Sequence, residues 1–342
     1  MRYKLLGRSG LRVSEICLGT MTFGEDWGWG AGKEESRKIF EDYLDAGGNF
    51  IDTANRYTEG TSEKYVGEFI AESRESLVVA TKYSLYNQRE DPNAGGNHRK
   101  NLVQSVEASL KRLNTDYIDL LWLHAWDSTT PVDEVMRGLD DLVRAGKVLY
   151  LGISDTPAWV VSQANTMAEI RGWSRFVALQ VEYSLVQRSA EREYIPMSKA
   201  FDLAITPWAP LAGGVLTGKY LNDDEADGRV SASSDRRNSR NTEIAEEVVT
   251  VAEELNVTPA QVALRWTMQK DFLSIPIIGA RKLSQLQDSL KCLRFELPDM
   301  YMERLDKVSE IQLGFPHDFL NSEGVKDVLF GGTYDMIDNH RL

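Results

Sequence analysis

Eight short apolar runs alternate with longer amphipathic runs along most of the 342-residue chain, and this alternation constrains the fold more than any other feature. The short runs predict strands at residues 16–20, 49–53, 77–83, 117–124, 148–154, 176–183, 204–209 and 273–278. The runs between them have helical periodicity at 33–45, 62–71, 99–113, 131–145, 157–170, 190–199, 242–255 and 259–269. Strands that alternate with helices pair in parallel through crossover connections, so an α/β protein is predicted.

Two architectures fit this alternation: a closed (β/α)8 TIM barrel and a doubly wound open sheet. The length suffices for one large barrel or for two ordinary domains. An open sheet that binds a dinucleotide carries G-x-G-x-x-G after an early strand. The first predicted strand ends instead in GTMTFG at residues 19–24. We therefore expect a single barrel domain over residues 1–342, with its core over about residues 1–310 and no domain linker.

Three additions to the barrel are predicted. Residues 3–6 and 12–15 flank Gly7-Arg8-Ser9-Gly10, which predicts an N-terminal β-hairpin able to plug the bottom of the barrel. Residues 213–241 are polar and rich in Gly, Ser, Asp and Arg, which indicates a long loop after strand 7. Residues 311–342 show little periodicity and predict a C-terminal extension.

Charge and cysteine content exclude several classes of function. A net charge of −13 argues against a nucleic-acid-binding protein, which carries a basic stripe. It does not exclude an anionic cofactor, because local cations and helix N-termini can hold phosphate. The two cysteines, Cys17 and Cys292, indicate a reduced intracellular protein without a disulfide framework. No secretory signal or membrane span is recognisable. We expect a cytoplasmic location and neither a metal nor a nucleic-acid or membrane partner.

Four ionisable residues fall near the carboxyl ends of three successive predicted strands, where β/α barrels carry their active sites. Asp52 and Tyr57 belong to the second unit, Lys82 to the third and His124 to the fourth. A phenol has a pKa of about 10, and a neighbouring cation such as Lys82 lowers it. Asp52 can fix Lys82, and His124 can hydrogen-bond a carbonyl oxygen. The set predicts proton donation by Tyr57 to a carbonyl oxygen that becomes charged as hydride arrives.

Each of these residues, taken alone, is more often structural than catalytic. A strand-end aspartate commonly caps a turn, a rim tyrosine commonly packs, and a strand-end lysine is commonly solvated. A single histidine is usually a satisfied structural residue. The chemical interpretation therefore depends on the four residues occurring together on one predicted rim.

The segments around these residues resemble the motifs of the aldo-keto reductase superfamily. They are NFIDTANRY at 49–57, EKYVG at 63–67, ATK at 80–82, LLWLHAWD at 120–127, RAGKV at 144–148 and LGIS at 151–154. Their order is that of the family, and the resemblance covers about residues 1–310. It implies that Tyr57 is the general acid, that Lys82 and Asp52 tune it, and that His124 orients the substrate.

The resemblance also implies that NADP(H) binds in an extended form, with its nicotinamide amide held after strands five and six. Ser154 and Gln180 match the residues that hold it. Asp155 departs from the family, where Asn is commonest, and an aspartate cannot donate to the amide carbonyl. Trp208 stands where an aromatic residue stacks on the nicotinamide, although a tryptophan of the core is the alternative.

The phosphates are predicted to lie against a glycine-rich loop and a helix start. The run LAGGVLTGKY at 211–220 resembles the family's pyrophosphate loop, in which Gly213 and Gly218 allow close approach and Lys219 supplies charge. Arg281 is predicted to bind the 2′-phosphate, and Gln285 and Asp288 to meet the adenine. A solvated basic loop is the alternative for Arg281. The remaining predicted cofactor contacts are Gly19, Thr20, Pro210, Leu211, Gly279 and Ser289.

Two functions remain open. The first is NADPH-dependent reduction of aldehydes and ketones to alcohols by direct hydride transfer from nicotinamide C4. The second is a cofactor-sensing regulatory subunit, since the opening GTMTFG resembles a branch that contains both aryl-alcohol dehydrogenase-like reductases and potassium-channel β subunits. Those β subunits carry Asn at the position of His124, so His124 favours catalysis. Four aromatic residues on the strand-end loops are candidate walls of a substrate pocket: Trp27, Trp29, Tyr86 and Trp126. The sequence does not predict the substrate, the physiological direction or the oligomeric state.

Overall fold

The structure is a computed structural model that describes residues 1–221, 230–231 and 233–338. Parts of the predicted loop 213–241 and of the predicted tail 311–342 therefore lie outside the described residues. The strands are β1 (Tyr3–Leu5), β2 (Arg12–Ser14), β3 (Cys17–Gly19), β4 (Phe50–Asp52), β5 (Val78–Tyr83), β6 (Ile118–Leu123), β7 (Val148–Ser154), β8 (Phe176–Glu182), β9 (Ala204–Trp208) and β10 (Ile277–Ile278).

Strands β3 to β10 form one parallel sheet in the order β10-β3-β4-β5-β6-β7-β8-β9. A parallel bridge between Ile205 and Ser274 joins β9 to the segment before β10 and brings the two edges of the sheet together. Two backbone hydrogen bonds flank this bridge, from Ile205 N to Leu273 O (2.8 Å) and from Ile275 N to Ile205 O (2.9 Å). The predicted (β/α)8 barrel is thus confirmed, and the open sheet is excluded.

Twelve α-helices are assigned in the described residues, and most of them surround the barrel. They are α1 (Lys33–Asp45), α2 (Thr61–Phe69), α3 (Arg99–Leu113), α4 (Val132–Arg144), α5 (Ala158–Arg171), α6 (Tyr194–Phe201), α7 (Ser239–Leu255), α8 (Pro259–Met268), α9 (Leu283–Leu290), α10 (Asp299–Val308), α11 (His317–Asn321) and α12 (Glu323–Phe330). Helix α8 shows how the local sequence sets a boundary: Thr258 and Gln261 form a capping box, and Pro259 occupies the first turn.

The observed helices differ from the prediction in several places; α7, for example, begins at Ser239 rather than at residue 242, and α10 was not predicted. Helix α6 begins at Tyr194 rather than at residue 190, because Ser189–Glu191 form a separate 3-10 turn. The tail was expected to show little periodicity, but it contains the short helices α11 and α12.

The predicted N-terminal hairpin is confirmed as an antiparallel pair of β1 and β2. Its turn contacts the amino ends of the barrel strands, where Arg8 N donates to Asp202 O over 2.7 Å. A Cβ atom on Gly7, whose φ is +52°, would lie 2.2 Å from Val177 O, so this close approach requires glycine. Leu6 and Val13 are fully buried with the side chains of the barrel interior. The hairpin therefore closes the end of the barrel opposite the strands' carboxyl ends.

Side chains from successive strands fill the interior of the barrel. Trp122 on β6 is fully buried there and lies against Gly152 on β7, where a Cβ atom would come within 2.2 Å of the indole ring. Other members of this interior cluster are Cys17, Phe50, Val78, Ala80, Leu120, Ala178, Ala204 and Ile275. This packed interior holds the strand ends in a fixed arrangement, and the candidate site is built on them.

Candidate active site

A cavity of about 610 Å³ opens at the carboxyl ends of the barrel strands. It is lined by the predicted residues Gly19, Asp52, Tyr57, His124, Ser154, Asp155, Gln180, Trp208, Pro210, Leu211, Gly213, Lys219, Gly279, Arg281, Gln285, Asp288 and Ser289. The structure thus brings residues from all parts of the barrel to one place.

Three predicted site residues do not line this cavity: Thr20, Lys82 and Gly218. Thr20 is fully buried, and its hydroxyl donates to Asp52 O over 3.0 Å, so it supports the end of β4 from behind. Gly218 lies in a turn at φ +76°, where a Cβ atom would come within 2.6 Å of Val249 Cγ2. Close packing on α7 therefore requires glycine at this position, and the predicted contact of Gly218 with the cofactor stays a prediction.

Lys82 lies beneath the cavity floor and is completely buried beside Asp52, which is 2% exposed. Its ammonium group donates to Asp52 Oδ2 and, over 2.8 Å, to Thr53 O. Strand register fixes this pair, because Asp52 on β4 lies opposite Ala80 on β5, two residues before Lys82. Burial alone would lower the pKa of Lys82, but Asp52 and Tyr57 outweigh burial and raise it. Lys82 is therefore charged at neutral pH.

Asp52 also contacts a second strand end. Its Oδ1 accepts a hydrogen bond from Gln180 Nε2 on β8 over 3.2 Å. Both carboxylate oxygens are thus engaged, one with Lys82 and one with Gln180. This contact links the candidate proton-donating group to a residue that is predicted to hold the cofactor.

Tyr57 lies above Lys82, in the turn that follows β4. The Lys82 ammonium is 4.7 Å from the centre of the Tyr57 ring, and the His124 ring meets it edge-on with 6.0 Å between centroids. Burial raises the pKa of the Tyr57 hydroxyl, and Lys82 acts in the opposite direction. Lys82 lowers the pKa of Tyr57, as the sequence predicted, but burial is the larger effect and the net pKa is raised. The phenol is consequently protonated at neutral pH.

His124 directly follows β6, and its backbone N–H donates to Tyr83 O over 3.0 Å. Burial, reinforced by Lys82, holds the pKa of His124 well below its ordinary value. Its imidazole is therefore neutral, with one N–H donor and one acceptor nitrogen. The buried Nδ1 atom has no hydrogen-bond partner in the described part of the protein.

Ser154, Asp155 and Trp208 form the next part of the wall. The Ser154 hydroxyl is buried and has no hydrogen-bond partner among the described residues. Asp155 has a φ of +39°, a left-handed conformation that Asn and Asp adopt more readily than other side chains apart from glycine. This backbone conformation suits Asn and Asp alike, so an aspartate can occupy the position where asparagine is commonest. Asp155 Oδ1 accepts from Trp208 Nε1 over 3.1 Å, and Trp208 is partly exposed in the cavity rather than part of the core.

The outer end of the cavity lies between the loop after β9 and the start of α9. Gly213 and Gly214 take left-handed conformations with φ of +69° and +101°. Across from them, Arg281 N donates to Gln285 Oε1 over 2.8 Å in front of the first turn of α9. Asp288 accepts from Thr258 Oγ1 (2.8 Å) and from Gln261 Nε2 (2.7 Å), which holds its carboxylate rigidly at the wall.

Several cavity residues were not among the predicted site residues: Met21, Thr22, Arg56, Leu85, Ala209, Gly214, Thr217, Ala260, Ile277 and Ile278. Most lie next to a predicted residue in the chain and carry no chemical signal of their own. Of the four predicted aromatic wall residues, Trp27 lines the cavity, whereas Trp29, Tyr86 and Trp126 do not.

Glu59 connects two of the wall residues. Its Oε1 accepts from Arg56 Nη2 over 2.8 Å and from Trp27 Nε1 over 3.0 Å. Arg56 also donates to the Tyr86 hydroxyl over 3.0 Å, and its guanidinium lies 4.2 Å from the centre of that ring. Arg56 and then Trp27 hold the pKa of Glu59 below its ordinary value, so Glu59 is ionised.

The turn that carries Glu59 has an unusual backbone. Thr58 and Glu59 have φ of +46° and +55°, which is strained for residues with a side chain and most of all for a β-branched one. The Thr58 hydroxyl donates to Phe23 O over 2.7 Å and anchors this conformation. Gly60 continues the turn at φ +88°, but Thr58 and Glu59 before it are not residue types that indicate a left-handed backbone.

Two further searches concern the described residues alone. No group of His, Cys, Asp or Glu side chains among them is arranged to hold a metal ion. None of the helices in residues 1–221 and 233–338 is both long and apolar enough to cross a membrane.

Comparison with known proteins identifies the class. Residues 15–310 match the family model described as the aldo/keto reductase family, and the chain belongs to that family. It is accordingly an oxidoreductase that acts on carbonyl or alcohol groups. The resemblance predicted from the motifs is thus confirmed.

Three similar proteins show which members of the family this chain resembles. Norsolorinic acid reductase of Aspergillus flavus is 38% identical over 92% of this chain and 83% of its own length. An aryl-alcohol dehydrogenase [NADP(+)] of Phanerodontia chrysosporium is 39% identical over 90% of this chain and 86% of its own. The aldo-keto reductase ausK of Aspergillus calidoustus is 36% identical over 93% and 85% of the two chains.

Proposed function

We propose that this protein reduces aldehydes and ketones to alcohols, using NADPH as the hydride donor. The observation that carries this proposal is the group formed by Asp52, Tyr57, Lys82 and His124 at the floor of the cavity. It combines a protonated phenol, a buried cation and a neutral imidazole around one point. That combination suits a carbonyl oxygen that gains negative charge and then a proton.

The cavity wall fits a nicotinamide dinucleotide. The buried Ser154 hydroxyl lacks a protein partner and is the expected hydrogen-bond partner for a carboxamide, with Gln180 on the adjacent strand β8. Trp208 offers an aromatic face, and Arg281 offers a cation in front of α9. A relative named as NADP(+)-dependent supports the phosphorylated cofactor. When bound, NADPH supplies a hydride from nicotinamide C4 to the carbonyl carbon.

The protein side of the reaction is a proton transfer. Tyr57 donates its hydroxyl proton to the substrate oxygen, and Lys82 stabilises the phenolate that remains. Asp52 keeps Lys82 charged and in place. The N–H of the neutral His124 orients the carbonyl.

We also propose that residues 1–342 form a single domain. A cytoplasmic location remains a prediction.

The test is oxidation of NADPH in the presence of 4-nitrobenzaldehyde, followed by absorbance. Tyr57→Phe removes the proton donor and should lower turnover on the order of 10³-fold while NADPH binding is retained. Tyr65→Phe, a partly buried tyrosine on α2, serves as the matched control and should behave as wild type. Tight NADPH binding without turnover in the wild type would support the regulatory alternative. Wild-type turnover in Tyr57→Phe would overturn the assignment of the acid.

A further inference from the structure

The C-terminal tail carries an apolar surface that its own barrel does not cover. Among the described residues, nine large apolar side chains of the tail are exposed: Phe315, Phe319, Leu320, Val328, Leu329, Phe330, Tyr334, Met336 and Ile337. Phe315 and Val328 are each 84% exposed. Apolar exposure on this scale, concentrated in one short segment, is typical of an interaction site.

The tail is ordered by contacts within itself. The rings of Phe315 and Phe319 lie 6.0 Å apart, and those of Phe330 and Tyr334 lie 5.0 Å apart. The Lys326 ammonium lies 4.9 Å from the centre of the Tyr334 ring. The barrel of the same chain is available for packing, and yet it leaves this surface exposed.

The base of the tail is fastened beside the mouth of the cavity. Arg192 Nη2 donates to Gln312 O over 2.9 Å, and His317 Nε2 lies 3.2 Å from Glu193 Oε1. Arg240 Nη2 donates to Ser309 O over 2.9 Å. These anchors precede α6 or lie in the first turn of α7, and helix N-termini in a β/α barrel face the mouth.

Charge and area indicate the kind of partner. The charged residues of α11, α12 and the turn after them are mostly acidic, with Asp318, Glu323, Asp327 and Asp335 against Lys326. This balance disfavours anionic lipid surfaces and nucleic acids. The nine side chains together offer roughly 1,000 Å² of apolar surface, so two copies would bury about 2,000 Å², the size of a stable homodimer interface. A second copy of this chain presents the same surface and satisfies two-fold symmetry.

We propose that the protein is a homodimer in which residues 315–337 of one copy pack against the same residues of its partner. This arrangement places the partner subunit beside each cavity mouth. The interface does not depend on the reaction proposed above, since no residue of the catalytic group contributes to it.

The test measures the mass of the full-length protein in solution at micromolar concentration, by light scattering after size exclusion and by sedimentation equilibrium. The wild type should have the mass of two chains. The double variant Val328→Asp with Leu329→Asp should raise the dissociation constant of the dimer roughly 100-fold or more. Two-fold symmetry places each introduced charge in the interface twice, so four charges would be buried there. Ile170→Asp on α5 is the matched control, because Ile170 is 80% exposed and lies outside the tail. It should remain a dimer.

Two results would overturn the proposal. One is a wild type with the mass of a single chain, including the case in which that monomer sediments with neutral lipid vesicles. The other is a wild-type dimer whose mass the double variant leaves unchanged while circular dichroism shows both proteins folded. Turnover of small aldehydes should be retained in the double variant, which separates this test from any failure of the proposed function.

Discussion

The floor of the cavity (Asp52, Tyr57, Lys82 and His124) and its rim (Trp27, Arg56, Trp208 and Arg281) are built by different means. Of the floor residues, Asp52, Lys82 and His124 lie at or next to strand ends, and the buried pair of Asp52 and Lys82 has neighbours that strand register dictates. Of the rim residues, only Trp208 lies on a strand, and Trp27, Arg56 and Trp208 are held by hydrogen bonds between side chains. The comparison teaches that the barrel backbone fixes the chemistry, whereas the loops select the ligand.

The largest effect is expected when the buried ion pair of Asp52 and Lys82 is broken, and an ion pair at the surface serves for comparison. Lys82→Met leaves the Asp52 carboxylate buried without its counter-ion, which typically costs about 3–5 kcal/mol of stability. It also removes the cation that stabilises the Tyr57 phenolate, so turnover should be lost. Urea denaturation and NADPH oxidation measure the two effects separately.

Lys199→Met is the matched control for this experiment. Lys199 pairs with Asp271 over 2.7 Å, but the two side chains are 47% and 80% exposed. Such a pair contributes about 0–1 kcal/mol, and activity should be unchanged. Adding Asp52→Asn to Lys82→Met should recover part of the stability and none of the turnover. Equal destabilisation by the two lysine variants would contradict the contrast between floor and surface.

The second prediction concerns His124 as a hydrogen-bond donor. His124→Asn keeps a polar side chain but changes its reach and geometry, and turnover should fall by about 10²-fold, the lower part of the range for a positioned donor. The KM for NADPH should change little, because the imidazole faces the carbonyl position rather than the phosphate end. A turnover equal to wild type would remove His124 from the reaction.

The same substitution tests the pKa of His124. Because the pKa of folded His124 lies well below 6.5, the unfolded chain binds a proton that the folded chain does not as pH falls through that value. The free energy of unfolding should therefore decrease from about pH 7 to about pH 5 in the wild type, and less so in His124→Asn. Parallel stability curves for the two proteins would show that His124 is not held neutral by the fold.

The third prediction moves to the rim. Arg281→Ala should raise the KM for NADPH about tenfold, the value of a partly exposed charge-assisted hydrogen bond, and should leave the KM for NADH nearly unchanged. Steady-state kinetics with both cofactors measures the difference. The neighbouring Lys282, which is exposed and does not line the cavity, provides the control variant Lys282→Ala. Equal effects on the two cofactors would remove Arg281 from the 2′-phosphate site.

The floor could be predicted from the sequence and much of the rim could not, for a physical reason. A strand of known direction places its last residue at the mouth, so Asp52, Lys82 and His124 could be located from the strand pattern alone. The position of Glu59 depends on left-handed conformations at Thr58 and at Glu59 itself, two residue types that do not predict such a backbone. Gly218 shows that a glycine can have a second reason, because its left-handed backbone and its close packing against Val249 require glycine whether or not a ligand approaches it. Loop geometry depends on tertiary contacts, and residue types predict it poorly.

The smallest expected effect tests whether the rim selects substrates by charge. Glu59 neutralises Arg56 at the cavity wall and also accepts from Trp27. Glu59→Gln keeps an acceptor for Trp27 but leaves the Arg56 cation without its counter-ion. The kcat/KM for 4-carboxybenzaldehyde relative to benzaldehyde should therefore rise several-fold, about the value of one partly exposed charge pair.

Glu68→Gln is the control for this last experiment, since Glu68 pairs with Lys33 on the outer surface and the ratio of the two substrates should not move. An equal change in kcat/KM for both aldehydes in Glu59→Gln would mean that the turn only supports the wall. A selective gain for the carboxylate would show that the strained residues Thr58 and Glu59 hold a charge pair whose balance sets substrate preference. In that case the rim acts on the choice of substrate while leaving the buried Lys82 beneath it unchanged, because Lys82 depends on strand register and burial rather than on the turn that carries Tyr57, Thr58 and Glu59.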